Sequence, residues 1–306
     1  MSRSASGALV GEAGGVPFDL PDWTAKIETV ESRLAELDAM RLDAQVLSIA
    51  PRFQRYGADP VASVALARDM NDDLVAWISA APKRLRGLIH LPLQDPSAAV
   101  AELERMAGRP GIIGAAVGTN VKGAGWDSPE LFPVLEAAEQ LGLFIFFHPA
   151  NRPKDDRMRR YHLKNLVGNP LETTLAIAAL IFSGVLDRLP TIKLCFAHAG
   201  GFAVLGVGRF DYGYQVRDDT RETAAALPSD YLKRLYFDSI TFSERGLRHV
   251  VDVVGASQVL LGSDHPADMG TTDPVGFIES CASLNEQEKR AILGGNLEGL
   301  IGRFWE

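Results

Sequence analysis

The sequence predicts an α/β fold, a (β/α)8 TIM-type barrel whose first strand is missing or irregular. Three observations carry this reading. First, short apolar runs at 44–49, 88–91, 112–117, 143–147, 192–197, 235–238 and 259–263 have the composition and the boundaries of strands buried on both faces. Second, helical periodicities fill the intervals between them, and such alternation builds a parallel sheet that many repeats close into a barrel. Third, several runs end in groups suited to chemistry: Phe147-His148-Pro149, Ala197-His198-Ala199 and Ser263-Asp264-His265. Strand C-termini in such a barrel share one mouth, where catalytic groups collect.

Residues 1–15 are small, polar and Gly-rich and read as a loop or a frayed end. Ile27, Val30, Leu34, Leu37 and Met40 recur at three- and four-residue spacing, so 24–40 is predicted to be an amphipathic helix. Further helices are predicted at 61–80, 96–108, 129–141, 170–186, 205–214, 244–254, 274–283 and 286–292, with a last turn at 296–304. Segments 118–126 and 151–169 read as loops, the second of them charged. The eighth strand belongs at the start of the chain. Either 7–11 forms a poor first strand, or the sequence begins inside the domain; the second reading is preferred. Residues 1–306 are expected to form a single, N-terminally incomplete domain, without a linker or an internal repeat.

With 46% hydrophobic and 23% charged residues, the chain is neither disordered nor fibrous. A net charge of −8 with no Lys/Arg cluster argues against a nucleic-acid partner. A small carboxylate substrate remains compatible, because a buried arginine acts locally. Cys195 and Cys281 do not make a disulfide framework, which suits a reducing cytoplasm. No apolar run is expected to reach the length of a membrane span, and no membrane partner is expected.

His148, His198 and Asp264, each at a strand end, together suit zinc or another first-row divalent ion with an open position for water or substrate. Taken singly, each histidine is as readily an ordinary strand-end residue bonded to backbone. Asp238 either joins the site or supports a ligand from behind. His265 is expected to point away along its loop. His90 and His249 read as structural, and His162, in the charged loop, either faces the mouth or, as the preferred reading, is solvated.

The motifs Phe147-His148-Pro149, Leu166-Val167-Gly168-Asn169-Pro170-Leu171-Glu172-Thr173-Thr174, Cys195-Phe196-Ala197-His198-Ala199-Gly200-Gly201, Gly208-Arg209 and Gly262-Ser263-Asp264-His265-Pro266 occur in one order. Together with Glu36-Leu37-Asp38, Gly118-Thr119, Glu130-Leu131-Phe132-Pro133 and Gly295-Asn296, they make nearly the whole chain resemble the aminocarboxymuconate-semialdehyde decarboxylase-like branch of the amidohydrolase superfamily. The resemblance implies one divalent ion, usually Zn2+, and non-oxidative decarboxylation. It implies that His148 and Asp264 are metal ligands, that Asp264 also handles protons, and that His198 is the acid/base. It further implies a homodimer in which Arg209 reaches into the neighbouring subunit's site to bind a substrate carboxylate.

Two departures qualify the expectation. The family's first strand carries a His-x-His pair of ligands that this sequence lacks; gap-free matching would place it on the order of twenty residues before Met1. Metal is therefore expected to bind weakly or not at all in the chain as written. In addition, aromatic residues of the family's substrate loop are replaced by His162 and Asn165, and the first substrate arginine has no counterpart near Pro21. The leading expectation is a carboxy-lyase acting on an aromatic or unsaturated acid. A hydrolase or hydratase acting on a lactone, amide or unsaturated acid, and a metal-less inactive relative, stand as alternatives.

Overall fold

The computed structural model describes residues 29–150 and 155–302, and the backbone alone of 2–3, 9–13 and 16–19. The last three form a small antiparallel sheet of their own, β1 (Ser2–Arg3), β2 (Leu9–Ala13) and β3 (Val16–Asp19). Residues 1–15 were expected to be a loop, so this is a difference. Its cause was readable: Gly14-Gly15 falls between two short apolar runs, a two-residue hairpin signal, and Ala13 pairs with Val16. The segment supplies no strand to the barrel.

The main sheet holds the expected seven strands, all parallel and in sequential order: β4 (Gln45–Ser48), β5 (Leu85–His90), β6 (Ile112–Val117), β7 (Phe144–Phe147), β8 (Lys193–Phe196), β9 (Tyr236–Asp238) and β10 (Val259–Leu260). Among the described residues, no strand joins β10 back to β4.

Helices cover the outside. They are α1 (Val30–Ala39), α2 (Pro60–Ala80), α3 (Pro96–Met106), α4 (Phe132–Gln140), α5 (Asn169–Phe182), α6 (Val185–Arg188), α7 (Ala203–Val216), α8 (Pro228–Leu232), α9 (Glu244–Val254), α10 (Pro274–Ser280), α11 (Glu286–Arg290) and α12 (Asn296–Ile301). Thr29, Asp59, Asp95, Ser243, Asp273 and Asn285 cap six of them through side-chain oxygens, as short polar residues at this position do. Residues 24–28 of the helix predicted at 24–40 lie outside the described residues. The helix predicted at 170–186 breaks at Gly184, whose φ of +72° ends α5 and restarts the chain as α6. Helix α8 was not predicted, because five residues show no periodicity.

Lys164–Phe182 is a continuous 19-residue helical run, with a π-helical start, that is long and apolar enough to cross a membrane. Its place in the helical layer explains the composition. Ala176, Ile177, Leu180 and Ile181 are buried, and the buried Glu172 takes hydrogen bonds from Thr119 and Asn120.

Alternation along the strands separates two cores. Ala115, Val117, Ile145, Phe147, Leu194, Phe196, Phe237 and Val259 pack outward under the helices. Leu88, Ala116, Phe144, Cys195 and Leu260 form a second cluster, with Phe146 and Tyr236 against it. Because side chains alternate with a period of two, His148 follows Phe144 and Phe146 onto that second face.

Candidate active site

Each site residue lies just past the end of a strand. His148 extends β7, its N–H donating to the Val117 carbonyl at 2.9 Å. His198 opens the turn after β8, where His198 and Ala199 hold φ values of +56° and +53°. Such left-handed conformations cost a non-glycine residue roughly 1–2 kcal/mol, and Asp238 at the end of β9 compensates. Its Oδ2 accepts the His198 N–H at 2.9 Å, and its Oδ1 accepts those of Ala199 at 2.8 Å and Ile240 at 3.1 Å. Asp238 thus supports His198 through the backbone. Gly201, at φ +65°, completes the turn so tightly that a Cβ there would lie 2.2 Å from the Pro170 carbonyl oxygen. Asp264 also has a positive φ, +50°, in a loop closed by Ala267 N–H to Asp264 O at 2.9 Å and Thr271 N–H to Ser263 O at 2.8 Å.

The three side chains meet. His148 Nε2 lies 3.8 Å from Asp264 Oδ1, and His198 Nε2 lies 3.7 Å from Asp264 Oδ2. One donor atom from each residue falls within 4.8 Å of the others. These separations are too long for good hydrogen bonds. They suit ligands sharing one ion, since metal–donor distances near 2.0–2.2 Å place neighbouring donors roughly 3–4 Å apart. The Nδ1 of His148 is buried and finds no hydrogen-bond partner among the described residues. The donor set fits a single divalent ion.

Electrostatics favour the same state. Burial lowers the pKa of His148, against the pull of Asp264, which keeps its imidazole neutral and ligand-competent. Burial would raise Asp264, but its interactions with His148 and His198 outweigh it and hold the carboxyl well below the usual range. Burial pushes Asp238 up, opposed by His198 and the three backbone N–H groups.

The other candidates lie elsewhere. Arg209 is exposed on α7, outside the cluster, and makes no hydrogen bond or ion pair with the described residues. His265 does not point away along its loop; its side chain is only 7% exposed, its Nε2 3.5 Å from Glu36 Oε2 on α1. That contact had no signal in the sequence, because Glu36 looks like any polar position of an amphipathic helix. His90 ends β5, with its backbone N–H donating to Asn71 Oδ1 at 2.8 Å and its imidazole pushed down to about 4 by burial. His162 is exposed, and His249 lies within α9.

Residues 17–300 match the Amidohydrolase family model. The chain belongs to the amidohydrolase family. It is 38% identical over 271 residues to the 2-amino-3-carboxymuconate-6-semialdehyde decarboxylase of Dictyostelium discoideum, covering 88% of this chain and 76% of that protein. It is 27% identical to the gamma-resorcylate decarboxylase of Polaromonas sp. JS666, over 96% of this chain and 94% of that protein. Among solved structures, the 5-carboxyvanillate decarboxylase LigW from Sphingomonas paucimobilis superposes with a TM-score of 0.83 at 29% identity, covering 92% of this chain and 85% of that one. The resemblance drawn from the motifs, and the barrel it implied, are thereby established for this amidohydrolase.

Proposed function

We propose that this amidohydrolase is a metal-dependent, non-oxidative decarboxylase of an aromatic or unsaturated carboxylic acid. The carrying observation is the convergence of His148, His198 and Asp264 at the strand ends, with both imidazoles facing one carboxylate. His148 and Asp264 would hold the ion, and the nitrogen and oxygen donors suit Zn2+ as well as manganese. A divalent ion bound there supplies Lewis acidity that orients and polarises the acid.

The protein's own groups handle the proton. As the carboxylate leaves as carbon dioxide, its electron pair passes into the conjugated system and the carbon left behind takes a proton. His198, held by Asp238 and facing Asp264, is placed to deliver that proton, and Asp264 to balance the imidazolium. No water is consumed, which separates this reaction from hydrolysis or hydration.

A homodimer completes the reading. Leu205, Arg209, Tyr212 and Val216 recur at helical spacing along the exposed face of α7, where Leu205 is 74% and Tyr212 is 65% exposed. A second copy covering this stripe would carry Arg209 towards a neighbouring site, where its planar fork suits a carboxylate. The buried free thiols of Cys195 and Cys281 fit a reducing cytoplasm.

The test is to incubate the purified chain with zinc or manganese and with gamma-resorcylate or 5-carboxyvanillate in deuterium oxide. Equimolar carbon dioxide and one deuterium at the vacated carbon are expected, and His198→Ala should abolish both. Incorporation of solvent oxygen into the product would assign a hydrolase instead, and full turnover by His198→Ala would remove that residue from the chemistry.

A further inference from the structure

Helix α1 brings a pair of charges up to the loop that carries Asp264. Helices of a β/α unit run antiparallel to the strands, so the first turns of α1 lie on the mouth side. Arg33 and Glu36, three residues apart, share one face of those turns. Arg33 is only 7% exposed, yet its Nε and Nη1 find no hydrogen-bond acceptor among the described residues. Burial works against its charge, and Glu36 is the group that sustains it. Glu36 reaches further, its Oε2 lying 3.5 Å from Nε2 of His265, a side chain 7% exposed. His265 is bonded directly to Asp264.

The loop's internal bonds, Ala267 N–H to Asp264 O, Gly270 N–H to Ala267 O and Thr271 N–H to Ser263 O, define its shape. It is wound closely enough that a Cβ on Gly270 would stand 2.5 Å from the Asp264 carbonyl oxygen. Internal bonds do not set how such a loop is tilted against the barrel. The Glu36–His265 contact joins the residue after Asp264 to a helix anchored elsewhere in the fold.

We propose that Glu36 is a positioning residue for the ion site, its carboxylate setting the direction of Asp264 through His265. Groups behind metal ligands commonly act in this way, and losing one typically weakens ion binding roughly 10–100-fold. This inference rests on the ion-site part of the proposed function and not on the identity of the reaction.

The experiment titrates the full chain with manganese chloride and follows free manganese by electron paramagnetic resonance. Glu36→Ala, Glu36→Asp and Glu36→Gln are compared with the parent chain, with a melting curve for each. The Glu36 side chain keeps about a third of its surface in solvent, 32%, so these changes open no large cavity, although the Ala and Gln variants remove the charge that sustains Arg33. Glu36→Ala is expected to weaken binding roughly 10–100-fold, while its melting temperature falls no further than that of Glu36→Gln, which removes the same charge beside Arg33. Glu36→Asp, one methylene too short to reach His265, should fall part of the way. Glu36→Gln keeps the reach of the side chain but not its charge, and should fall between the parent and Glu36→Ala.

Manganese binding by Glu36→Ala equal to the parent's overturns the inference, and so does a loss in Glu36→Gln as large as in Glu36→Ala. A parent chain that binds manganese but releases no carbon dioxide overturns the decarboxylase reading alone. Because binding without the His-x-His pair is expected to be weak, the titration runs to high manganese concentration, and a parent that takes none there overturns both.

Discussion

Replacing Asp238 by alanine removes one carboxylate and leaves three buried backbone donors, on His198, Ala199 and Ile240, without an acceptor. Asp238 is 5% exposed, so water is poorly placed to substitute. Each orphaned buried donor costs about 1–3 kcal/mol, and partial relaxation brings three of them to about 3–6 kcal/mol. The positive φ values at His198 and Ala199 lose their support at the same time, so that turn relaxes and carries the His198 ring away from Asp264. Asp238→Asn separates the two contributions. Its single amide oxygen can serve one side of the pair of contacts, while the NH2 group meets a backbone N–H head-on, a loss of about 1–3 kcal/mol. Urea unfolding at constant m-value reads the stability change, and turnover reads the displacement of His198. The expected order is parent, then Asn, then Ala in stability, with turnover reduced at least tenfold in both variants. An alanine variant within about 1 kcal/mol of the parent, or with unchanged turnover, would refute the assignment of Asp238 as the support of the His198 turn.

If the proposed dimer buries Arg209 against a substrate carboxylate in a neighbouring site, Arg209→Ala and Arg209→Lys lose turnover while the fold persists, since truncating a buried charge pair costs about 2–5 kcal/mol. Mixing Arg209→Ala with His198→Ala chains should recover part of the activity, and no recovery despite confirmed subunit exchange would place Arg209 outside a shared site. His90 makes a pH prediction: burial lowers its pKa from 6.5 to about 4, so the unfolded chain takes up a proton that the folded protein refuses. The associated stability is fully present above about pH 6.5 and is lost as pH falls through 4, amounting to about 3 kcal/mol. His90→Gln should therefore flatten the dependence of the urea midpoint on pH between 6.5 and 4, and parallel curves for the two proteins would contradict this.

What could be read in advance was whatever the backbone period determines. Phe144, Phe146 and His148 share a parity, so one apolar run predicts both a strand and the face its terminal histidine takes. Turn conformation could not be read in this way. Positive φ at His198, Ala199 and Asp264 has no composition signal, since only Gly200 and Gly201 announce a left-handed bend. The end of β10 was misread for a related reason. The run to Ser263 is apolar enough for a longer strand, yet the Gly262 N–H donates to Ser239 Oγ at 3.1 Å, and the ladder stops at Leu260. That departure frees the chain to wind the Asp264 loop. Strand-end residues inherit their positions from the sheet, and so His148, His198 and Asp264 were recognisable 50 and 66 residues apart. Asp238 and Glu36 depend instead on the reach of a side chain across the fold to someone else's backbone or imidazole. Such contacts leave no period in the sequence, so the groups that aim the site are harder to foresee than the groups that compose it.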